Sequence, residues 1–340
     1  MRLLSISILL FSLVFALSIH AESGSSFFEL NEDEIQHEKR QLDLLELTVQ
    51  TNLSFRFFPA KIPYYIKQFQ IQGLTETEEY LYFQALNFYN KKLKSESLLH
   101  ATKSIEINPS YPPSLNLIGV IYTEAGRLSD ATSFFKRSVA ESPWDPTFNY
   151  NYANNLYRLG RSSDALTYAE NAIELKSNVR DASYLKGLIL IELKKNKEAA
   201  DAFELAKLNG LNTEQFYKIY MKVVLSIGDE LKSIELLPYI EKYRDLESRR
   251  MTVEVRMKMG EHARAARILA SYVFTDQAVL KDKENYVIAI FRMKGKFDDL
   301  EKLTDDESEK LHLARVIENL SMPAGPAGPV IRDPILNPLN

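Results

Sequence analysis

The 340-residue sequence contains no cysteine. That excludes disulfides, thiolate catalysis, cysteine metal sites and a lipid-bearing N-terminal cysteine. Its five histidines include no pair at a metal-ligand spacing such as i, i+4. The chain also lacks H-E-x-x-H, G-x-S-x-G, a glycine-rich phosphate loop and a dinucleotide fingerprint. The acidic runs "NEDE" and "DDESE" lack the alternating oxygen donors and fixed glycine of a calcium loop. No catalytic residue, no metal and no cofactor is therefore expected, and the chain reads as non-enzymatic.

An excess of charge of one sign is also missing. Lys and Arg number 42 against 46 Asp and Glu, a formal net charge of −4, and no long basic run supplies a local field, so nucleic acid is not an expected partner. Long apolar stretches are confined to the start, "MRLLSISILLFSLVFALSIHAES". Arg2, the apolar run Leu3 to Ile19 and the small residue Ala21 before Glu22 read as a signal peptide over 1–21. Export to the periplasm or cell surface follows. The alternative is a chain anchored to the membrane by an uncleaved signal, because the run lies near the lower limit for a span.

What the chain does have is a period. With 45% hydrophobic and 26% charged residues it can bury a substantial core. Small residues recur every 34 positions at Ala85, Gly119, Ala153 and Gly187. A second series runs through Ser97, Ala131, Ala165 and Ala199, and a third through Ser104, Ser138, Ala172 and Ala206. Between them stand Ala101, Phe135, Ala169 and Phe203. Small residues at these spacings let two helices cross closely, so each unit predicts a helical hairpin that buries its remaining apolar face only by stacking on the next. Pro109 and Pro143 fall in the connections, where they do least harm to a helix.

The unit "SLNLIGVIYTEAGRLSDATSFFKRSVAESP" carries Leu115, Ile118–Gly119, Tyr122, Gly126, Ala131, Phe135 and Pro143. On these residues the chain resembles the tetratricopeptide repeat family. The resemblance implies an all-α, right-handed solenoid of stacked antiparallel helix pairs: four in-register repeats over 77–212 and degenerate repeats over 213–318. In the degenerate part Gly228, Gly260 and Gly295 stand where turn glycines belong, while Met221, Ser233 and Ile240 occupy the small positions.

In that family the first helix of each pair lines the concave surface. Carried onto this sequence, the register places Tyr82, Leu86 and Tyr89, then Asn116, Val120 and Thr123, in the groove. Tyr150, Asn154 and Tyr157 follow, with Tyr184, Leu188 and Glu192. The binding candidates are Tyr82, Tyr89, Asn116, Tyr150, Asn154, Tyr157 and Tyr184. Asparagine can both donate to and accept from an extended backbone, and tyrosine offers flat apolar area with a polar tip. A protein or peptide partner is thus implied. The clamp with which some members hold a C-terminal carboxylate is not, since Asp181 and Leu185 stand where cations or amides would be required.

The flanks carry weaker signals. Over 22–76 the sequence reads as an N-terminal helical extension, capped at Asn31 and apolar at Ile35, Leu42, Leu45 and Val49, joined to the repeats by an aromatic linker. The linker, Leu53 to Ile71, holds Phe55, Phe57, Phe58, Tyr64, Tyr65 and Phe69. It is expected to clamp the extension onto the repeats. The alternative, a structural component of a cell-envelope complex tethered to the membrane through this end, rests on Arg56, Lys61 and Lys67 beside the aromatics. The proline-rich stretch 319–340 is expected to be a disordered tail. In the basic stretch of Arg249, Arg250, Arg256, Lys258, Arg264 and Arg267, the interleaved Glu247, Glu254 and Glu261 point to paired charges.

Overall fold

The computed structural model describes residues 61–175 and 179–322. The stretch read as a signal sequence, the segment from Asn31 read as an amphipathic helix, the first half of the aromatic run and the proline-rich stretch after Met322 lie outside the described residues. Sixteen helices and no strand are found among the described residues, in two compact units that meet in sequence between Ile121 and Tyr122.

The first unit holds α1 (Ile62–Ile71), α2 (Glu78–Asn90), α3 (Lys94–Ile107) and most of α4 (Pro112–Glu124). α1 corrects the reading of this stretch as a linker. Ile62, Tyr65, Ile66 and Phe69 repeat at helical spacing, Pro63 stands in the first turn where it lacks no needed hydrogen bond, and all four apolar residues are buried. Phe69 meets Phe83 of α2 with ring centroids 5.7 Å apart, while Tyr64 faces outward. α2 is capped by Thr77, whose hydroxyl accepts from the Tyr80 amide at 3.2 Å. The small positions are filled as the period requires: Ala85, Ser97, Ala101 and Ser104 are fully buried. Ser104 also donates to the Glu78 carbonyl at 2.8 Å, so a small polar residue both permits the crossing and ties α3 to α2.

The second unit continues through α5 (Leu128–Glu141), α6 (Pro146–Arg158), α7 (Ser162–Glu174), α8 (Val179–Glu192), α9 (Asn196–Leu208) and α10 (Glu214–Ile227). It ends with α11 (Glu230–Ile240), α12 (Leu246–Lys258), α13 (His262–Leu269), α14 (Leu280–Lys294), α15 (Leu300–Leu303) and α16 (Glu307–Ser321). Most helices pack chiefly on their neighbours in sequence, but α16 packs chiefly on α14, past the short α15. At the α8–α9 crossing the contact is so close that a Cβ added to Gly187 would lie 2.2 Å from the Phe203 ring. Phe203 is fully buried, with Phe216, Tyr220, Met221 and Ile240 in the same core. Large residues at the degenerate repeats thus replace the small ones without leaving the interior.

A backbone signature accompanies the 34-residue period. Lys92, Gly126, Gly160, Lys194 and Gly228, each 34 after the last, are all left-handed, with φ between 59° and 75°. Each stops the first helix of its pair. The next residue's amide reaches back to a carbonyl five positions earlier, as Arg127 does to Tyr122 and Arg161 to Leu156, both at 2.9 Å. Gly260 and Gly295 repeat the conformation off the period, at the same place in the later pairs.

Candidate functional site

Three first helices of the second unit, α6, α8 and α10, share a depression of about 420 Å³. Its apolar surface comes from Leu188, Ile191, Ile219 and Val223, and its rim from Tyr157, Glu192 and Lys222. The helices present these residues because their opposite faces are committed to the core. On α6 Tyr152, Ala153 and Leu156 are buried, on α8 Leu185, Ile189 and Leu190, and on α10 Phe216, Tyr220 and Val224. Asn196 at the start of α9 closes one end, its amide donating to the Ser226 hydroxyl at 3.1 Å. Lys222 is held by Glu247.

Of the residues expected in a groove, Tyr157 reaches this depression, together with Leu188 and Glu192. Tyr184 lies beside it, half-buried, with its ring 5.9 Å from Phe203 and from Phe216. Burial pushes the Tyr157 hydroxyl up from its ordinary pKa, with the Glu192 carboxylate adding to the shift, so the group stays a neutral donor. Burial, and then Tyr157, do the same for Tyr184. Tyr150 is half-buried and raised by burial and then by Asp181. Asn154, also half-buried, has no hydrogen-bonding partner among the described residues, which leaves its amide available to an incoming backbone.

The first unit behaves differently. Tyr82 does not open onto a groove: its ring is 6% exposed and rests 5.3 Å from Phe83 and 5.9 Å from Tyr111. Leu86 is likewise core. Tyr89 and Asn116 are half-buried. In the second unit Thr123 is used structurally, donating to the Asn155 side-chain oxygen at 3.2 Å. Asn155, fully buried, donates in turn to Thr132 at 2.8 Å and binds α4, α5 and α6 together.

The register also held more than was read from it. Tyr157 plus one period is Ile191, and Leu188 plus one period is Lys222, so α10 belonged to the same surface. The large residues at the small positions Met221 and Ile240 obscured this continuation.

Among the described residues there is no group of three or more side chains that could hold a metal, and no helix long and apolar enough to cross a membrane. Residues 124–206 match the family described as anaphase-promoting complex, cyclosome, subunit 3. No curated protein sequence matches the chain. Among solved structures, Pseudomonas aeruginosa PilF superposes with a TM-score of 0.51 at 15% identity, over 62% of this chain and 97% of that one. The fold, the 34-residue register and the recurrent left-handed turn agree.

The chain has the tetratricopeptide-repeat fold.

A tetratricopeptide repeat protein from Parabacteroides merdae aligns over 71% of this chain and 98% of its own, with 18% identity and a TM-score of 0.44. YrrB, described as a TPR protein with an unusual peptide-binding site, aligns over 53% of this chain and 97% of its own, with 22% identity and a TM-score of 0.45. In this tetratricopeptide-repeat fold the depression on α6, α8 and α10 combines an apolar floor with an amide and two opposite charges at its edge. Such a surface can bury an apolar side chain while hydrogen-bonding the backbone beside it.

Proposed function

We propose that this tetratricopeptide-repeat protein is a non-enzymatic scaffold of the periplasm or cell surface, and that its α6–α8–α10 groove takes an extended segment or helix of a partner protein. The observation that carries the reading is the depression itself, where Leu188, Ile191 and Ile219 lie partly open over the buried Val223, beside Tyr157. An apolar anchor buried there contributes about 1.5–3 kcal/mol. Asn154, one turn before Tyr157 on α6 and outside the depression's lining, offers its amide to a backbone that continues along α6. Export rests on the first 21 residues, whose charge, apolar run and small residue suit signal cleavage.

A photocrosslinking residue placed at Tyr157 in the native envelope, with mass spectrometry of the products, tests the groove. A discrete protein captured there, and lost on combining the groove changes Asn154→Ala and Leu188→Ala in a chain of unchanged helicity, is the expected result. Capture of the same proteins from Thr167, an exposed position on α7, would overturn it. N-terminal sequencing of the mature chain tests export, with Glu22 expected as the first residue.

A further inference from the structure

Most cations in the basic stretch find carboxylates. Arg250 pairs with Asp282, Arg256 with Glu241 and Glu261, Lys258 with Glu254, and Arg264 with Glu261. Arg249 does not. Its guanidinium donates only to the Ser271 hydroxyl, at 3.2 Å. Arg244, exposed in the connection between α11 and α12, has neither an ion-pair nor a hydrogen-bonding partner among the described residues. These two arginines converge on one depression of about 380 Å³, on different elements from the groove above.

The rest of its lining suits an anion carried on an apolar stem. Ile268 and the Tyr243 ring supply apolar wall, and Ser271 a hydroxyl. The Tyr243 ring is flanked by two ammonium groups, Lys242 at 5.0 Å and Lys218 at 5.6 Å from its centroid, so positive charge gathers on this side. The one carboxylate in the lining, Glu241, is already neutralised by Arg256, and nearby Asp245 by Lys218. Two guanidinium forks are left with donors unused, and a guanidinium fork matches the two oxygens of a carboxylate. The volume is several times what a lone inorganic anion fills, leaving room for methylene groups against Ile268.

We propose that Arg244 and Arg249 form a site for an acidic side chain of a partner polypeptide, separate from the α6–α8–α10 groove. The site needs no contribution from that groove, so either can fail without the other.

The test is a titration of the full chain with decaglutamate, followed through the Nε–Hε resonances of its arginines. Saturable shifts at Arg244 and Arg249, absent with decaglutamine, are expected. Arg249→Gln and Arg244→Gln are each expected to weaken binding by roughly ten-fold, the loss of one charge-assisted pair. Arg244 is exposed and unbonded, so its variant leaves folding intact. Arg267, also exposed and partnerless among the described residues, is the control. An equal loss in Arg267→Gln would reduce the effect to general surface attraction and overturn the site. An absence of shifts at Arg249 would do the same, as would equal shifts with inorganic phosphate at matched concentration, which would make it a free-anion site instead.

Discussion

Asp282 of α14 accepts the Arg250 guanidinium of α12 on both carboxylate oxygens, at 3.2 Å from Nε to Oδ1 and 2.7 Å from Nη2 to Oδ2. The carboxylate is 3% exposed and also receives the Tyr272 hydroxyl and the Val279 amide. Two successive first helices are thereby joined through one buried anion.

Replacing Asp282 by Ala leaves the guanidinium and the phenol without their acceptor. Arg250 is about one-third exposed and regains some water, so the expected loss is about 2–3 kcal/mol rather than the full cost of a buried orphan charge. Urea unfolding reads this as a lower midpoint at unchanged slope. Removing both charges together, as Arg250→Met with Asp282→Leu, recovers most of it.

Gly187→Ala is expected to cost about 1–3 kcal/mol, because the new methyl group enters the space of the Phe203 ring. Combining it with Phe203→Leu tests the cause. Recovery of part of the thermal midpoint identifies the ring contact, whereas additive losses would place the strain elsewhere.

At Lys92 and Lys194 a side chain occupies a conformation that suits glycine. Lys92→Gly and Lys194→Gly are each expected to stabilise by roughly 0.5 kcal/mol, the relief of left-handed strain less the greater freedom of glycine in the unfolded chain. Gly160→Ala, in the same position one repeat away, is expected to lose roughly 1 kcal/mol. Thermal melts of the three variants side by side check the pattern.

Asp245 predicts a pH dependence. It caps α12, accepting the Ser248 amide at 3.1 Å, and meets the Lys218 ammonium at 2.9 Å. Burial opposes its ionisation, but Lys218 and Ser248 outweigh that and hold the carboxyl at about 2, below its ordinary 3.8. Folded protein therefore holds the proton less readily than unfolded chain. The contribution is complete above the ordinary value and disappears as pH falls through about 2. Asp245→Asn keeps the capping oxygen and loses the charge. Its deficit against the parent is expected to be constant from pH 7 to 5 and to close between pH 4 and 2, as thermal midpoints would show.

How much of this is legible in the sequence turns on what a 34-residue period can carry. Ala85, Ala153, Ala165 and Phe203 announced the crossings because steric fit leaves few choices there. The outward face is less constrained. Tyr82 and Tyr157 stand on corresponding first-helix faces in sequence, yet only one is open, because Tyr82 is covered by the aromatic residues Phe83 and Tyr111. The α1 helix was hidden by aromatic density that drew attention from the spacing of Ile62, Tyr65, Ile66 and Phe69. Ion pairs such as Arg250 with Asp282, separated by 32 residues, leave no local trace at all. In the basic stretch Glu254 and Glu261 pair with Lys258, Arg256 and Arg264, whereas Glu247 pairs with Lys222 of α10, and Arg249 and Arg267 meet no carboxylate because of what the fold puts opposite them.

The recurrent left-handed turn also has an ancestral side. At each of Gly126, Gly160 and Gly228 a Cβ would meet nothing within 4 Å, and each turn is closed by backbone atoms within six residues of chain. A gene segment of 34 codons, copied or deleted between two such turns, therefore carries its own joint with it. A chain built this way can lengthen or shorten by whole repeats without redesigning any loop, and the 32- and 35-residue intervals to Gly260 and Gly295 keep the same joint while departing from that length.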